Sequence, residues 1–112
     1  MGKFDGVLFF ADYDDTLYNS AHTVAPEDLE AIRYFMDNGG HFSIATGRAH
    51  RTFTPQIEKE GLLFNAPVVL GNGAAIYDYA ADRYLLDSRL PPNAPAMLER
   101  LCGRFPALGF EA

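Results

Sequence analysis

Val7-Leu8-Phe9-Phe10-Ala11-Asp12-Tyr13-Asp14-Asp15-Thr16-Leu17 is the stretch on which the reading of this chain turns. Residues 7–11 form a short continuous apolar run, which suits a strand covered on both faces. The run breaks abruptly into an acidic cluster. Asp12 and Asp14 stand two apart where an extended strand ends, so their side chains can point the same way. Adjacent carboxylates repel, and the repulsion is relieved by ionising one, protonating the other, or binding a cation between them. Each outcome serves phosphoryl transfer. An ionised carboxylate can attack phosphorus. A protonated neighbour can supply the leaving oxygen with a proton and then act as base on water. A Mg²⁺ ion open to phosphate oxygens offsets the charge of both partners. Taken alone, the triplet is equally well an acidic turn after a buried strand.

The chain beyond this stretch alternates helix and strand. Residues 26–38 predict a helix: Leu29, Ile32, Phe35 and Met36 share a face, Pro26 suits the first turn, and Glu27 and Asp28 favour the positive end. Ala25 stands where a capping side chain is expected, and Gly39-Gly40 stops the helix. His41–Ala45 predicts a second strand, followed at once by Thr46-Gly47-Arg48. The helical stretch over about 49–60 is expected to break at Pro55, with Thr54 capping a fresh start. Pro67–Leu70 predicts a third short buried strand ending in Gly71-Asn72-Gly73. Residues 75–78 and 83–87 predict a hairpin around 79–82, although Ala80-Ala81 makes a poor turn. An amphipathic helix carrying Met97, Leu98, Leu101 and Phe105 follows Pro91-Pro92, and residues 106–112 read as the opening of something further.

Strand, helix, strand, helix, strand implies a parallel sheet with right-handed crossovers. Ligands of such sheets bind beyond the carboxyl ends of the strands. The three strands end in polar or glycine-rich clusters, so carboxylates, threonine and asparagine are expected to converge on one sheet edge. A hydroxyl and backbone N–H groups at Thr46-Gly47 can hold a phosphoryl oxygen. Thr46 can equally be a helix cap, and Arg48 is either an anion clamp or a solvated arginine.

Composition narrows the classes. The 112 residues make one domain, or one domain and the beginning of another, and the apolar 48% suffices for a core. A formal charge of −6 argues against nucleic acid or anionic membrane as the main partner. An acidic protein handling an anion then needs local positive charge from a cation, Arg or backbone N–H groups. The single cysteine, Cys102, excludes an internal disulfide and fits a reducing compartment. No apolar stretch approaches a bilayer span, and the first residues lack the basic start and apolar core of a signal peptide. These features predict a cytoplasmic protein.

Asp-Tyr-Asp-Asp-Thr-Leu (12–17), Ala-Thr-Gly-Arg (45–48) and Gly-Asn-Gly-Ala (71–74), each behind an apolar strand, resemble the haloacid dehalogenase-like superfamily of phosphatases. Their order and spacing are similar to its Cof-type branch, which acts mostly on sugar phosphates and other small phosphoesters. The resemblance implies an α/β, Rossmann-like sheet, with residues 1–88 as the N-terminal half of the catalytic core and 89–112 as the start of an α/β cap. It implies a Mg²⁺ cofactor held by Asp12 and by the backbone carbonyl of Asp14. Asp12 would be the nucleophile and Asp14 the general acid/base. Thr46 and Gly47 would bind the phosphoryl group through hydroxyl and N–H, with Arg48 and Asn72 near the substrate. Asp15, at a position often glycine in this branch, is expected to bond nearby backbone and to have no catalytic role.

Two elements of that family are missing from the sequence. One is a lysine that steadies nucleophile and phosphate; the other is an acidic Gly-Asp motif that completes the metal site. The lysines here are Lys3 and Lys59, and no Gly-Asp pair occurs. The later strand that flanks the first strand in this fold is absent too, so residues 7–11 are expected at an open edge that invites self-association. The polypeptide is thus expected to be truncated and inactive alone.

Several rival readings compete with this one. A receiver-type phosphoacceptor module needs an acceptor Asp after the third strand, where Gly71-Asn72 stands. A non-catalytic fragment or binding module keeps the fold without turnover. A dinucleotide-binding turn at 71–76 lacks its last glycine and a following helix. His22, His41 and His50 lack metal-ligand spacing and are expected at the surface or in turns. Cys102 is expected in the core of its helix's apolar side.

Overall fold

The computed structural model describes residues 2–107. Five strands form one sheet in the order β1 (Leu8–Asp12), β2 (His41–Ala45), β3 (Val68–Leu70), β4 (Ala75–Asp78) and β5 (Arg83–Asp87). The first three run parallel, and β3, β4 and β5 continue as an antiparallel meander. Helix α1 (Pro26–Asp37) connects β1 to β2, α2 (His50–Glu60) connects β2 to β3, and α3 (Ala94–Arg104) follows the meander. Residues 108–112, within the stretch read as the opening of something further, lie outside the described residues.

Pleat alternation divides the sheet into two unlike faces. Phe42, Ile44, Val68, Leu70 and Tyr77 point to one side, where Ile32 of α1 and Phe53 of α2 join them in a single buried core. Phe9 stacks on Phe42 at 5.9 Å between ring centroids and meets the Phe35 edge at 6.3 Å, tying the edge of that core to α1. Leu8 and Phe10 point the other way, in register with His41 and Ser43. They are 56% and 41% exposed. The continuous apolar run therefore does not mark a strand covered on both faces. Among the described residues β1 is the sheet's edge, hydrogen-bonded to β2 alone. Among the described residues, this is the open edge expected for residues 7–11.

Helix α1 begins as its sequence requires, with Pro26 in the first turn and no side-chain cap from Ala25. Helix α2 departs from expectation by running unbroken through Pro55. The missing N–H and the ring clash of an interior proline disfavour a helix by about 3 kcal/mol. Tertiary contacts on both sides of it oppose that penalty. Phe53 is fully buried, and Gln56 Oε1 accepts a 2.8 Å hydrogen bond from the Tyr13 hydroxyl. Thr54 caps no new helix; its hydroxyl donates to the His50 carbonyl at 2.7 Å and lies 2.9 Å from the Tyr79 hydroxyl.

The hairpin turn is made by its flanking aspartates rather than its alanines. Asp78 Oδ1 accepts the N–H groups of Ala80 and Ala81, and Asp82 takes the left-handed φ of 51° while its carboxylate accepts the Tyr77 hydroxyl. Helix α3 leaves Met97 and Leu101 exposed, Phe105 just past its end is exposed too, and Cys102 is half-buried rather than in a core. Among the described residues no helix is long and apolar enough to cross a membrane.

Candidate active site

The acidic loop is a tight turn built on one buried tyrosine. Tyr13 turns inward from the end of β1, stacks on Tyr18 at 5.1 Å and meets Phe53 edge-on at 5.4 Å. Its carbonyl accepts the Tyr18 N–H at 2.7 Å and the Thr16 N–H at 3.3 Å, while the Asp15 N–H donates to the Tyr18 carbonyl at 2.9 Å. Asp15 sits at φ 59°, a left-handed conformation that glycine adopts freely and aspartate tolerates. The contact that holds Asp15 comes from its own backbone N–H, whereas a side-chain bond was expected.

With Tyr13 inward, Asp12 faces out of the sheet's end. It lines a cavity of about 380 Å³ together with Ala45, Thr46, Gly47, Val69, Asn72 and Gly73. Thr46 is buried, and Asp12 is exposed. The Thr16 hydroxyl lies a long 3.5 Å from Asp12 Oδ2, so the carboxylate keeps capacity for other partners.

The turn after β2 is held in shape by the turn after β3. Thr46 N–H donates to the Val69 carbonyl at 2.9 Å, Asn72 N–H to the Thr46 carbonyl at 3.0 Å, and Gly71 N–H to the Arg48 carbonyl at 2.9 Å. The Arg48 N–H donates to Thr46 Oγ1 at 3.1 Å. With Oγ1 serving as acceptor there, the hydroxyl proton remains to be donated elsewhere. Asn72 reaches this position at φ 55°, and a Cβ on Gly47 would lie 3.0 Å from its Oδ1. Glycine at 47 lets the asparagine side chain approach that closely. Sequence reasoning placed Asn72 near the substrate but missed that its loop clamps the Thr46 turn. The paired glycines of Gly71-Asn72-Gly73 were the available signal.

Asp14 and Arg48 occupy a different position. Neither is among the cavity's lining residues; they bind each other. Arg48 Nε donates to Asp14 Oδ2 at 2.9 Å and Nη2 to Oδ1 at 2.7 Å. The guanidinium lies 5.3 Å from the Tyr13 ring centroid and 5.6 Å from that of Tyr18. Its hydrogen bonds hold the Asp14 carboxyl below the usual carboxylate range and raise Arg48 in turn. Among the described residues no group of three His, Cys, Asp or Glu side chains gathers as a ready metal cage.

His22 and His41 are exposed, as expected. His50 is not: it opens α2 half-buried, 4.2 Å from the Tyr77 ring and stacked at 5.7 Å on Tyr79, with Tyr84 at 5.9 Å. Its neighbours come from the distant hairpin, so spacing around residue 50 carried no sign of them.

With this geometry in place, residues 9–103 match the family model described as haloacid dehalogenase-like hydrolase. The chain belongs to the haloacid dehalogenase-like hydrolases. A Mycoplasma pneumoniae protein that carries a phosphatase name is 31% identical over 102 residues, 88% of this chain and 34% of its own. Phosphatase YwpJ of Bacillus subtilis is 37% identical over 71 residues, 63% of this chain and 24% of its own. Among solved structures, a haloacid dehalogenase-like hydrolase from B. subtilis superposes with a TM-score of 0.73 at 28% identity, covering 87% of this chain and 33% of its own. The chain thus spans about a quarter to a third of the length of the relatives it matches.

Proposed function

We propose that this haloacid dehalogenase-like chain carries the nucleophile-bearing part of a Mg²⁺-dependent phosphatase site for a small phosphorylated metabolite such as a sugar phosphate. The observation that carries the reading is that Asp12 and Thr46 line one cavity at the sheet's carboxyl edge, with the Thr46 hydroxyl proton uncommitted. The phosphatase names of its relatives support the same class.

In this reading an Asp12 carboxylate oxygen bonds to phosphorus as the ester oxygen leaves, giving an aspartyl-phosphate. The Thr46 hydroxyl and Gly47 N–H hold phosphoryl oxygens where charge develops. Asp14 gives the leaving oxygen its proton, then takes one from the water that attacks phosphorus and restores Asp12. Arg48 and Asn72 flank the substrate. Mg²⁺ takes one or two carboxylates, carbonyl oxygens and several waters; the Asp12 carboxylate and the Asp14 backbone carbonyl would hold it, which leaves the Asp14 side chain, now on Arg48, for proton transfer. When bound it would neutralise phosphate charge facing a protein of net charge −6. Residues 1–88 constitute the first half of the catalytic core in this proposal. Residues 89–112 begin a cap, consistent with the exposed apolar residues of α3.

The test is Mg²⁺-dependent phosphate release from an aryl phosphate by a longer chain that also supplies the lysine and Gly-Asp segments. Asp12→Asn is expected to abolish it, and the 112-residue chain is expected to show none. Absence of release from the longer chain would sink the assignment. Stable acetyl phosphate labelling without turnover would favour a receiver instead.

A further inference from the structure

Arg48 is fixed at its backbone and exchangeable at its tip. Its N–H donates to Thr46 Oγ1 and its carbonyl accepts from Gly71, so its main chain is part of the turn that lines the Asp12–Thr46 cavity. Its guanidinium grips both oxygens of Asp14 in the loop after β1. Tyr13 and Tyr18, fully buried and 9% exposed, provide a stacked pair of rings beneath it. The ion pair itself stays wet, with side-chain exposures of 26% for Arg48 and 45% for Asp14. Its two-donor geometry holds it better than most surface ion pairs, while its exposure leaves it open to a competing oxyanion.

A guanidinium fork fits a carboxylate and a phosphoryl group by the same two-donor geometry. A carboxylate with both oxygens occupied by that fork is held as an acceptor only. We infer that Arg48 is a positioning residue with two oxyanion partners. In the resting site it restrains Asp14, and a phosphoryl oxyanion entering the neighbouring cavity takes Asp14's place on the fork. The inference rests on the cavity being a phosphoryl site, and it adds how substrate arrival releases Asp14. The tyrosine rings serve either partner, because they contact the guanidinium and not the oxyanion.

The test is a double-mutant cycle on phosphate affinity, measured by titration calorimetry of the longer chain that supplies the lysine and Gly-Asp segments, with inorganic phosphate in Mg²⁺ buffer. Asp14→Asn removes the competitor and is expected to tighten binding about three- to fivefold. In an Arg48→Ala background the same change is expected to have less than about a twofold effect, because no fork remains to be liberated. Asp15→Asn deletes an equal charge next door and is expected to leave affinity unchanged in both backgrounds. Equal tightening by Asp14→Asn in both backgrounds would reveal a bulk charge effect and overturn the exchange.

A second readout needs no affinity change. The Arg48 Nε–H resonance is expected to be protected from solvent exchange in the phosphate-free protein, and to lose that protection in Asp14→Asn. It is expected to shift on phosphate addition to the unsubstituted chain. An unprotected or unmoved resonance would overturn the proposal even where a variant is poorly folded. Thr46→Val separates the two levels. If phosphate binds and Thr46→Val weakens it, but the cycle shows no coupling, the exchange falls and the phosphoryl site stands. If nothing binds, or Thr46→Val is without effect, the phosphoryl site itself falls and the exchange with it.

Discussion

The two ends of β1 are neighbours in sequence and opposites in circumstance. Leu8, Phe9 and Phe10 are 56%, 54% and 41% exposed, whereas Tyr13, just past the strand, is fully buried. The apolar residues are outside and the tyrosine beside the acids is inside. The difference lies in where each end finds its partners. Tyr13 meets Tyr18 from its own loop and Phe53 and Gln56 from α2. The body of β1 has β2 on one side, and among the described residues it has no strand on the other. The strand-end loops are thus self-sufficient in a way the edge is not.

The largest expected effect tests that self-sufficiency. Phe53→Ala empties the centre of the loop-side core and is expected to lower stability by about 3–5 kcal/mol in urea unfolding. Phe10→Ala on the other face is expected to lower it by about 1–2 kcal/mol, since 41% of that residue is already in water in the folded state. Comparable losses for the two would mean that β1 is covered in solution. That outcome would break the contrast.

The next effect is on association. A flat apolar edge strand is a template for another chain. Sedimentation velocity at rising concentration is therefore expected to show self-association of the chain. Leu8→Lys, which places a charge on that edge, is expected to return it to monomer with the core intact. A dilute, well-folded monomer at every concentration would instead make the edge inert.

These contrasts mark what could be read from sequence. The strands were legible because each is a short apolar run closed by a polar or glycine-rich cluster, and their convergence followed from topology. The edge position of β1 was legible as well, because the sequence pattern offers it β2 as its one neighbour among the described residues. Its exposure on both faces was not legible from the run Val7–Ala11 itself, because hydropathy reports what a strand needs and not whether a partner is present. Pro55 misled because a proline's local preference was set against packing from Tyr13, forty-two residues away in sequence. The Asp14–Arg48 pair was hidden for the same reason. Each residue fitted a substrate-facing role, and only coordinates reveal that they hold one another.

A smaller effect sharpens the buried side of the contrast. Burial pushes the Tyr13 phenol up to about 12. The folded state thus favours the protonated form more than the unfolded chain does, where tyrosine titrates near about 10. Its contribution to stability is full below that unfolded value and is lost as pH rises toward 12. Tyr13→Phe is expected to lower stability by about 1 kcal/mol at neutral pH through the lost Gln56 hydrogen bond. It is also expected to flatten the alkaline loss of stability between those two pH values, measured by unfolding midpoints. An unchanged alkaline profile would mean that Tyr13 is open to solvent.

The smallest expected effect lies at Asp15, where two terms oppose. Its φ of 59° strains any residue with a Cβ, aspartate less than most. Asp15→Gly removes that strain but gives the unfolded chain more freedom to lose, about 0.5–1 kcal/mol. The net change in unfolding free energy is expected to fall within about 0.5 kcal/mol of zero. Asp15→Val keeps the unfolded chain stiff and adds a β-branch at a left-handed φ, so it is expected to destabilise by about 1–2 kcal/mol. The ordering of the two variants carries the argument. If valine were tolerated as well as glycine, the loop would not hold its left-handed turn in solution, and Asp12 and Asp14 would lose the backbone that sets them apart.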